Sequence, residues 1–199
     1  ISKSYKPIDG DKGFVNSSIE MVIGKNLFSE PNFYPIGLNT PGGTGALKLV
    51  SEFLNIFSPN SKVWFSNPTW ANHKPIFESS GFLTMDYEYF DKENNVVDFK
   101  NFLNSVQNIP SGDIIILHGC CHNPTGCDLS IDQWKELAFV IKEKKIIPVC
   151  DFAYQGLGIG VEEDAAGVRA MYEILDDIFI CSSYSKNFGL YSERVGCLI

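Results

Sequence analysis

The sequence predicts an α/β fold: a mostly parallel sheet sandwiched by helices in three layers. Three observations carry that expectation. Short, continuously apolar runs recur, such as Ile114-Ile115-Ile116-Leu117 and Ile146-Ile147-Pro148-Val149-Cys150; strands apolar on both faces belong to a parallel sheet covered on both sides. Segments with apolar residues at helical spacing alternate with these runs. Polar segments carrying Asn123, Asp151 and Lys186 each follow a run, and in a parallel sheet such tips share the edge where ligands bind.

In chain order, Tyr5 to Gly10 reads as an extended lead-in and turn, and Ser17 to Gly24 as a short helix. Asn32 to Asn39 reads as irregular, because Pro31 and Pro35 limit strand pairing. Thr40-Pro41-Gly42-Gly43-Thr44-Gly45 opens a helix with Ala46, Leu49, Val50, Phe53 and Leu54 on its predicted buried face. Lys62–Ser66 and Phe82–Phe90 read as strands flanking a helix that ends near Ser80. Asp98 caps a helix that turns Phe99, Phe102, Leu103 and Val106 inward. Ser130 and Gln133 form a capping box before Trp134, Leu137, Ala138 and Ile141. Asp164 is expected to start the next helix, with Val168, Met171, Tyr172 and Leu175 inward. Ile178–Cys181 and Arg194–Ile199 read as the last strands.

Composition narrows the function classes. With 199 residues, 44% of them hydrophobic, the chain can bury a real core, and no apolar run approaches transmembrane length. A net charge of −8 argues against a general nucleic-acid surface. The six cysteines lack the spacing of a disulfide framework, which points to reduced thiols inside the cell. A cytoplasmic protein is expected, with a mitochondrial one as the alternative. The missing initiator Met and the strand cut at Ile199 predict a fragment of a longer chain.

Several residues invite chemistry, each beside a plainer reading. Lys186 lies in a polar turn after a buried strand. It is either a solvated surface amine or, if desolvated, a nucleophile for a carbonyl. Arg194 offers a planar fork to phosphate oxygens. The glycine-rich turn at Gly43 and Thr44 is a tight turn or an anion site at a helix N-terminus. Trp70 at a strand end is a core residue or a stacking platform. Asp151 caps a loop or faces a ligand cation. Cys120 and Cys121 between His118 and His122 raise a zinc reading, but adjacent cysteines do not match the usual ligand spacing, and no metal is expected.

Six separated motifs in order carry a resemblance: S-K-S-Y-K-P-I at Ser2, P-G-G-T-G-A-L at Pro41, N-P-T-W-A-N-H at Asn67, H-N-P-T-G at His122, D-F-A-Y-Q-G at Asp151 and S-Y-S-K-N-F-G-L-Y-S-E-R-V-G at Ser183. Across essentially its whole length the chain resembles the aspartate aminotransferases, fold-type I enzymes that use pyridoxal 5'-phosphate (PLP). The resemblance implies that residues 1–199 are the PLP-binding large domain of a longer protein, without its small domain or either terminus. It implies that Lys186 forms a Schiff base with PLP and then moves the substrate's proton. Asp151 would pair with the pyridine N–H, and Tyr154 and Asn123 would donate to the phenolate oxygen. Trp70 would stack on the ring, with Trp70 and Asn123 also facing substrate. Gly43, Thr44, Ser183 and Arg194 would hold the phosphate. Tyr5 would reach the phosphate of a neighbouring subunit, implying a homodimer with shared sites. His73 and His118 would support the aspartate.

The implied reaction moves the amino group of L-aspartate to 2-oxoglutarate, giving oxaloacetate and L-glutamate. Aromatic-amino-acid aminotransferases carry nearly the same cofactor motifs and are the alternative. A non-enzymatic PLP-fold subunit is a further alternative, disfavoured because Lys186 and Asp151 are both present. A dinucleotide site is disfavoured because the glycine turn lacks G-x-G-x-x-G spacing.

Overall fold

The computed structural model describes residues 4–28 and 34–199. Its strands are β1 Leu38–Pro41, β2 Lys62–Asn67, β3 Leu83–Glu88, β4 Phe90–Asp91, β5 Val96–Val97, β6 Ile114–His118, β7 Ile147–Phe152, β8 Phe179–Ser183 and β9 Val195–Leu198. Its helices are α1 Lys12–Ile23, α2 Lys25–Phe28, α3 Gly42–Phe57, α4 His73–Glu78, α5 Phe99–Gln107, α6 Ile131–Lys144 and α7 Val161–Ile174.

Seven strands form one sheet in the order β1-β9-β8-β7-β6-β2-β3. From β3 to β8 every neighbour is parallel; β9 runs antiparallel to β8, and β1 antiparallel to β9. The expected parallel sheet between helical layers is therefore present, with an antiparallel edge. Side-chain alternation along β6 divides the core. Ile115 and Leu117 pack with Phe102, Trp134, Leu137 and Met171 from α5, α6 and α7. Ile114 and Ile116 pack on the opposite face with Ala46, Leu47, Val50 and Phe77 from α3 and α4. A third cluster joins Val15, Ile19 and Val22 of α1 to Cys150, Phe152 and Ile180. Each fully buried isoleucine in these layers stabilises the fold by ~1.5–3 kcal/mol.

Several boundaries differ from the sequence expectation, for local reasons. The first helix starts at Lys12 because Asp11 caps it, accepting from the N–H groups of Gly13 and Phe14. Asn32 and Phe33 lie outside the described residues, and the stretch expected to be irregular through Asn39 ends in β1, which pairs with β9 at the other end of the chain, Leu38 opposite Leu198. The strand expected over Phe82–Phe90 stops at Glu88 and is followed by the small β4–β5 hairpin. On α3, Ala46, Val50 and Leu54 are buried as expected, but Leu49 and Phe53 are exposed; Leu47 and Ser51 take their place. The register follows from Gly43, which presses the first turn against Ser183 and rotates Leu49 away from the sheet. Helix α7 begins at Val161, so Asp164 lies within its first turn and does not start it. Its carboxylate instead reaches back over the preceding loop, accepting from the N–H groups of Gly156 (2.8 Å), Gly158 (2.9 Å) and Ile159 (2.8 Å). All six cysteines are free thiols. No helix among the described residues is long and apolar enough to cross a membrane.

Candidate active site

The register of the parallel strands puts His118 and Asp151 side by side at the carboxyl ends of β6 and β7, with Cys181 of β8 next to Asp151. Beyond this edge lies a cavity of ≈ 210 Å³ lined by Gly43, Thr44, Trp70, Asn123, Asp151, Tyr154, Ser183, Lys186 and Arg194. Nine of the ten expected cofactor contacts thus meet at one place, although they span 152 positions of sequence. Tyr5, the tenth, is fully exposed and does not line the cavity.

One side of the cavity is built for an anion. Helix α3 points its N-terminus inward with no side chain capping it and no acidic residue in its first turn. Its leading N–H groups therefore lack intrahelical partners and carry the positive end of the helix dipole. Arg194 adds a full charge beside them. Its Nη1 donates to Ser185 Oγ (3.3 Å) and to the Tyr191 carbonyl (3.0 Å). Its backbone is left-handed, with φ of 53°. Close approach is possible only because two residues lack side chains. A Cβ at Gly42 would lie 2.6 Å from Arg194 Nη2, and one at Gly196 would lie 2.4 Å from the Gly42 carbonyl carbon.

Asp151 belongs to a hydrogen-bonded chain. Its Oδ2 lies 2.9 Å from Nε2 of the fully buried His73, and His73 Nδ1 lies 2.8 Å from Thr69 Oγ1. Thr69 Oγ1 is in turn 3.1 Å from His118 Nε2. His73 is wedged between Phe65 and the edge-on Trp70 ring, 5.3 Å away. These contacts fix the direction of the carboxylate at the strand tip and place both expected histidines beside it.

Asn123 is held from behind. Its N–H donates to His118 Nδ1 (3.3 Å), and its Nδ2 donates to Tyr154 OH (3.4 Å). The preceding His122 is stacked between Tyr89 and His118, with ring centroids 4.1 Å away on each side. Both its nitrogens are engaged, Nε2 with Ser66 Oγ and Nδ1 with Thr125 Oγ1, each at 2.9 Å. Burial, then the neighbouring His73, push its pKa down to about 4; burial also holds His118 well below the ordinary value. Both rings are neutral at pH 7. Since His118 and His122 spend their nitrogens this way, they do not converge with the cysteines on a zinc-like centre.

Lys186 sits in the loop between β8 and β9, which closes through Tyr184 N–H to the Val195 carbonyl (3.0 Å). Its Nζ lies 4.4 Å from the centroid of the Tyr154 ring, a cation–π contact that aims the amine into the cavity. Thr69, His122, Ser185 and Tyr191 were not among the expected residues. Ser185 had a readable signal, as a second small hydroxyl two positions after Ser183. Thr69 and His122 act through other side chains, a relation that appears only in three dimensions.

The sequence profile described as "Aminotransferase class I and II" matches residues 3–199. The chain belongs to this family. Among its curated members, the aspartate aminotransferase of Escherichia coli K12 is 45% identical over 195 residues, 98% of this chain and 49% of that protein. The aromatic-amino-acid aminotransferase of Paracoccus denitrificans is 41% identical over 198 residues, covering 100% and 50%. A solved aromatic-amino-acid aminotransferase from Burkholderia pseudomallei, described as covalently bound to pyridoxal phosphate, superposes with a TM-score of 0.95 at 39% identity, over 100% of this chain and 50% of that one. The chain spans about half the length of the curated relatives it matches.

Proposed function

We propose that the protein containing this chain is a PLP-dependent aminotransferase, and that residues 1–199 form most of its cofactor-binding large domain. The observation that carries the proposal is the meeting of an amine, a buttressed carboxylate and an uncapped helix N-terminus with an arginine in one cavity. That donor set fits PLP, which needs a nucleophilic amine, a partner for its ring nitrogen and a cradle for its phosphate. When bound, PLP supplies an electron-poor ring that stabilises the charge left when an amino acid loses its α-proton.

The chain's own residues would do the rest. Gly43, Thr44, Ser183 and Arg194 bind the phosphate through N–H groups, a hydroxyl and the guanidinium fork. Asp151, held by His73, would pair with the ring nitrogen and favour its protonated form. Asn123 and Tyr154 would donate to the ring oxygen, and Trp70 would offer its indole to the ring. Lys186, whose amine lines the cavity, would be the nucleophile toward the cofactor's carbonyl and the base for the α-proton. Tyr5, exposed and away from this cavity, is assigned to the corresponding site of a second copy, making the active protein a homodimer.

For the donor, we propose L-aspartate or an aromatic amino acid, with 2-oxoglutarate as acceptor. Relatives carrying both names match over the same residues at 41–45% identity, so an aspartate-only assignment has no support over the aromatic one. The test is amino transfer to 2-oxoglutarate by the full-length protein, comparing kcat/KM for L-aspartate, L-phenylalanine and L-tyrosine. Lys186→Ala should abolish turnover on all three. Persistence of transfer in that variant would remove Lys186, and with it the proposed chemistry.

A further inference from the structure

Cys120 and Cys121 take no part in the chemistry above. They lie in the loop after β6, and their Sγ atoms and a carboxylate oxygen of Asp164 are all within 4.8 Å of one another. Asp164 is not free to act as a ligand, since its oxygens already accept from the N–H groups of Gly156, Gly158 and Ile159. The nearby imidazoles of His118 and His122 are fully engaged. What remains is a pair of sulfurs. Two protein donors are too few for a closed zinc site, which takes four. They suffice for a soft, three-coordinate centre that brings its own third substituent.

We propose that Cys120 and Cys121 form a dithiol site for trivalent organoarsenicals of the type R–As=O. Cys121 is half-buried and Cys120 only 6% exposed, so the two react in order. The Cys121 sulfur bonds to arsenic while its proton passes to the arsenic-bound oxygen. Cys120 then displaces that hydroxyl, its own proton leaving with it as water. Two S–H bonds are lost, two As–S bonds form, and arsenic stays trivalent throughout. The second step is intramolecular, which raises its effective concentration far above that of any free thiol.

The surroundings hold the pair in place. The N–H groups of Cys121 and His122 donate to Asp128 at 2.6 and 2.8 Å, pinning the loop from its other side. Gly158 lies against the Cys121 sulfur from the next loop; a Cβ there would approach it to 3.2 Å. Burial, and after it the nearby Asp128 and Asp164 carboxylates, hold both thiols protonated; this slows the first attack, but the closed product is neutral and carries no buried charge. The other cysteines lack these features. Cys150, Cys181 and Cys197 are fully buried within strands, and the Cys127 sulfur donates to the Asn95 carbonyl.

The test is phenylarsine oxide added to the full-length protein, followed by intact mass and peptide mapping. We expect an adduct on the peptide containing Cys120 and Cys121. It should survive excess 2-mercaptoethanol, be removed by 2,3-dimercaptopropanol, and be lost in both Cys120→Ala and Cys121→Ala. Mapping on the unaltered protein stands even if a variant folds poorly. No adduct, an adduct on another peptide, or removal by the monothiol would overturn the proposal. Because the readout is mass, each of those results leaves the aminotransferase assignment where it was.

Discussion

Replacing His122 with glutamine should change how the protein responds to acid. In the folded state the imidazole is neutral, 2% exposed, sandwiched between two rings and bonded at both nitrogens. Its pKa of about 4 lies below the unfolded value of 6.5. A group with a lowered folded pKa contributes no acid penalty above 6.5. As pH falls from 6.5 to about 4, the unfolded chain takes up a proton that the folded chain refuses, and stability drops. Each pH unit in that window is worth ~1.4 kcal/mol, so the full loss is about 3 kcal/mol. Glutamine does not titrate, although its amide can still bond to Ser66 and Thr125. His118 refuses a proton for the same reason, burial, but it is present in both proteins and cancels to first order. The assay is urea unfolding of the full-length wild type and His122→Gln at pH 7 and pH 4.5. At pH 7 the variant should be the less stable, having lost its ring contacts. By pH 4.5 that gap should narrow by 2–3 kcal/mol, within about 0.5 kcal/mol. A gap that stays constant across the range means the folded protein accepts the proton, and the argument from burial fails.

Other substitutions probe the rest of the site. Arg194→Lys keeps the charge and the left-handed backbone but loses the fork, so affinity for PLP should fall about tenfold or more, the equivalent of one charge-assisted hydrogen bond of ~1.5–3 kcal/mol; unchanged affinity by equilibrium titration removes Arg194 from the anion cradle. Gly196→Ala sets a Cβ 2.4 Å from backbone of Gly42, and overpacking of this kind costs ~1–3 kcal/mol. Its urea midpoint should drop and PLP affinity weaken together, and a wild-type midpoint would show that α3 can shift freely on β9. For Asp164 burial alone would raise the pKa, but the N–H groups of Ile159, Gly158, Gly156 and Gly160 together lower it below 3.8. Its contribution is therefore present above 3.8 and lost as pH falls through the folded value. Asp164→Asn should make the loop at 156–159 exchange its amide hydrogens faster at pH 7, and equal protection would show that the carboxylate does not hold it.

Much of the site could be read from sequence because strand tips are legible one at a time. Each of Asn123, Asp151 and Lys186 follows an apolar run, and a parallel sheet brings such tips to one edge. The resemblance then supplied roles that the run pattern could not. What escaped was non-local. β1 is four residues long and reads as irregular because its partner lies at the other end of the chain. The face of α3 was misjudged at Leu49 and Phe53 because both are apolar and correctly spaced, yet the contact of Gly43 with Ser183 sets the rotation. Asp164 reads as the helix start because acidic residues favour that end, whereas the helix begins at Val161 and the carboxylate's partners lie in the loop before it.

The reversal of direction at β9 has its own consequence. Had β9 run parallel to β8, the chain would have needed a crossover back to the other end of the strands before starting it. Instead it turns back, so Lys186 and Arg194 are both carried by one short loop whose two ends are stitched to neighbouring strands at Ser183 and Gly196. The loop works as a calliper. Its length sets how far the amine can stand from the anion cradle, and a residue inserted between 187 and 193 would open the gap directly. An insertion after β6 or β7 would leave it untouched.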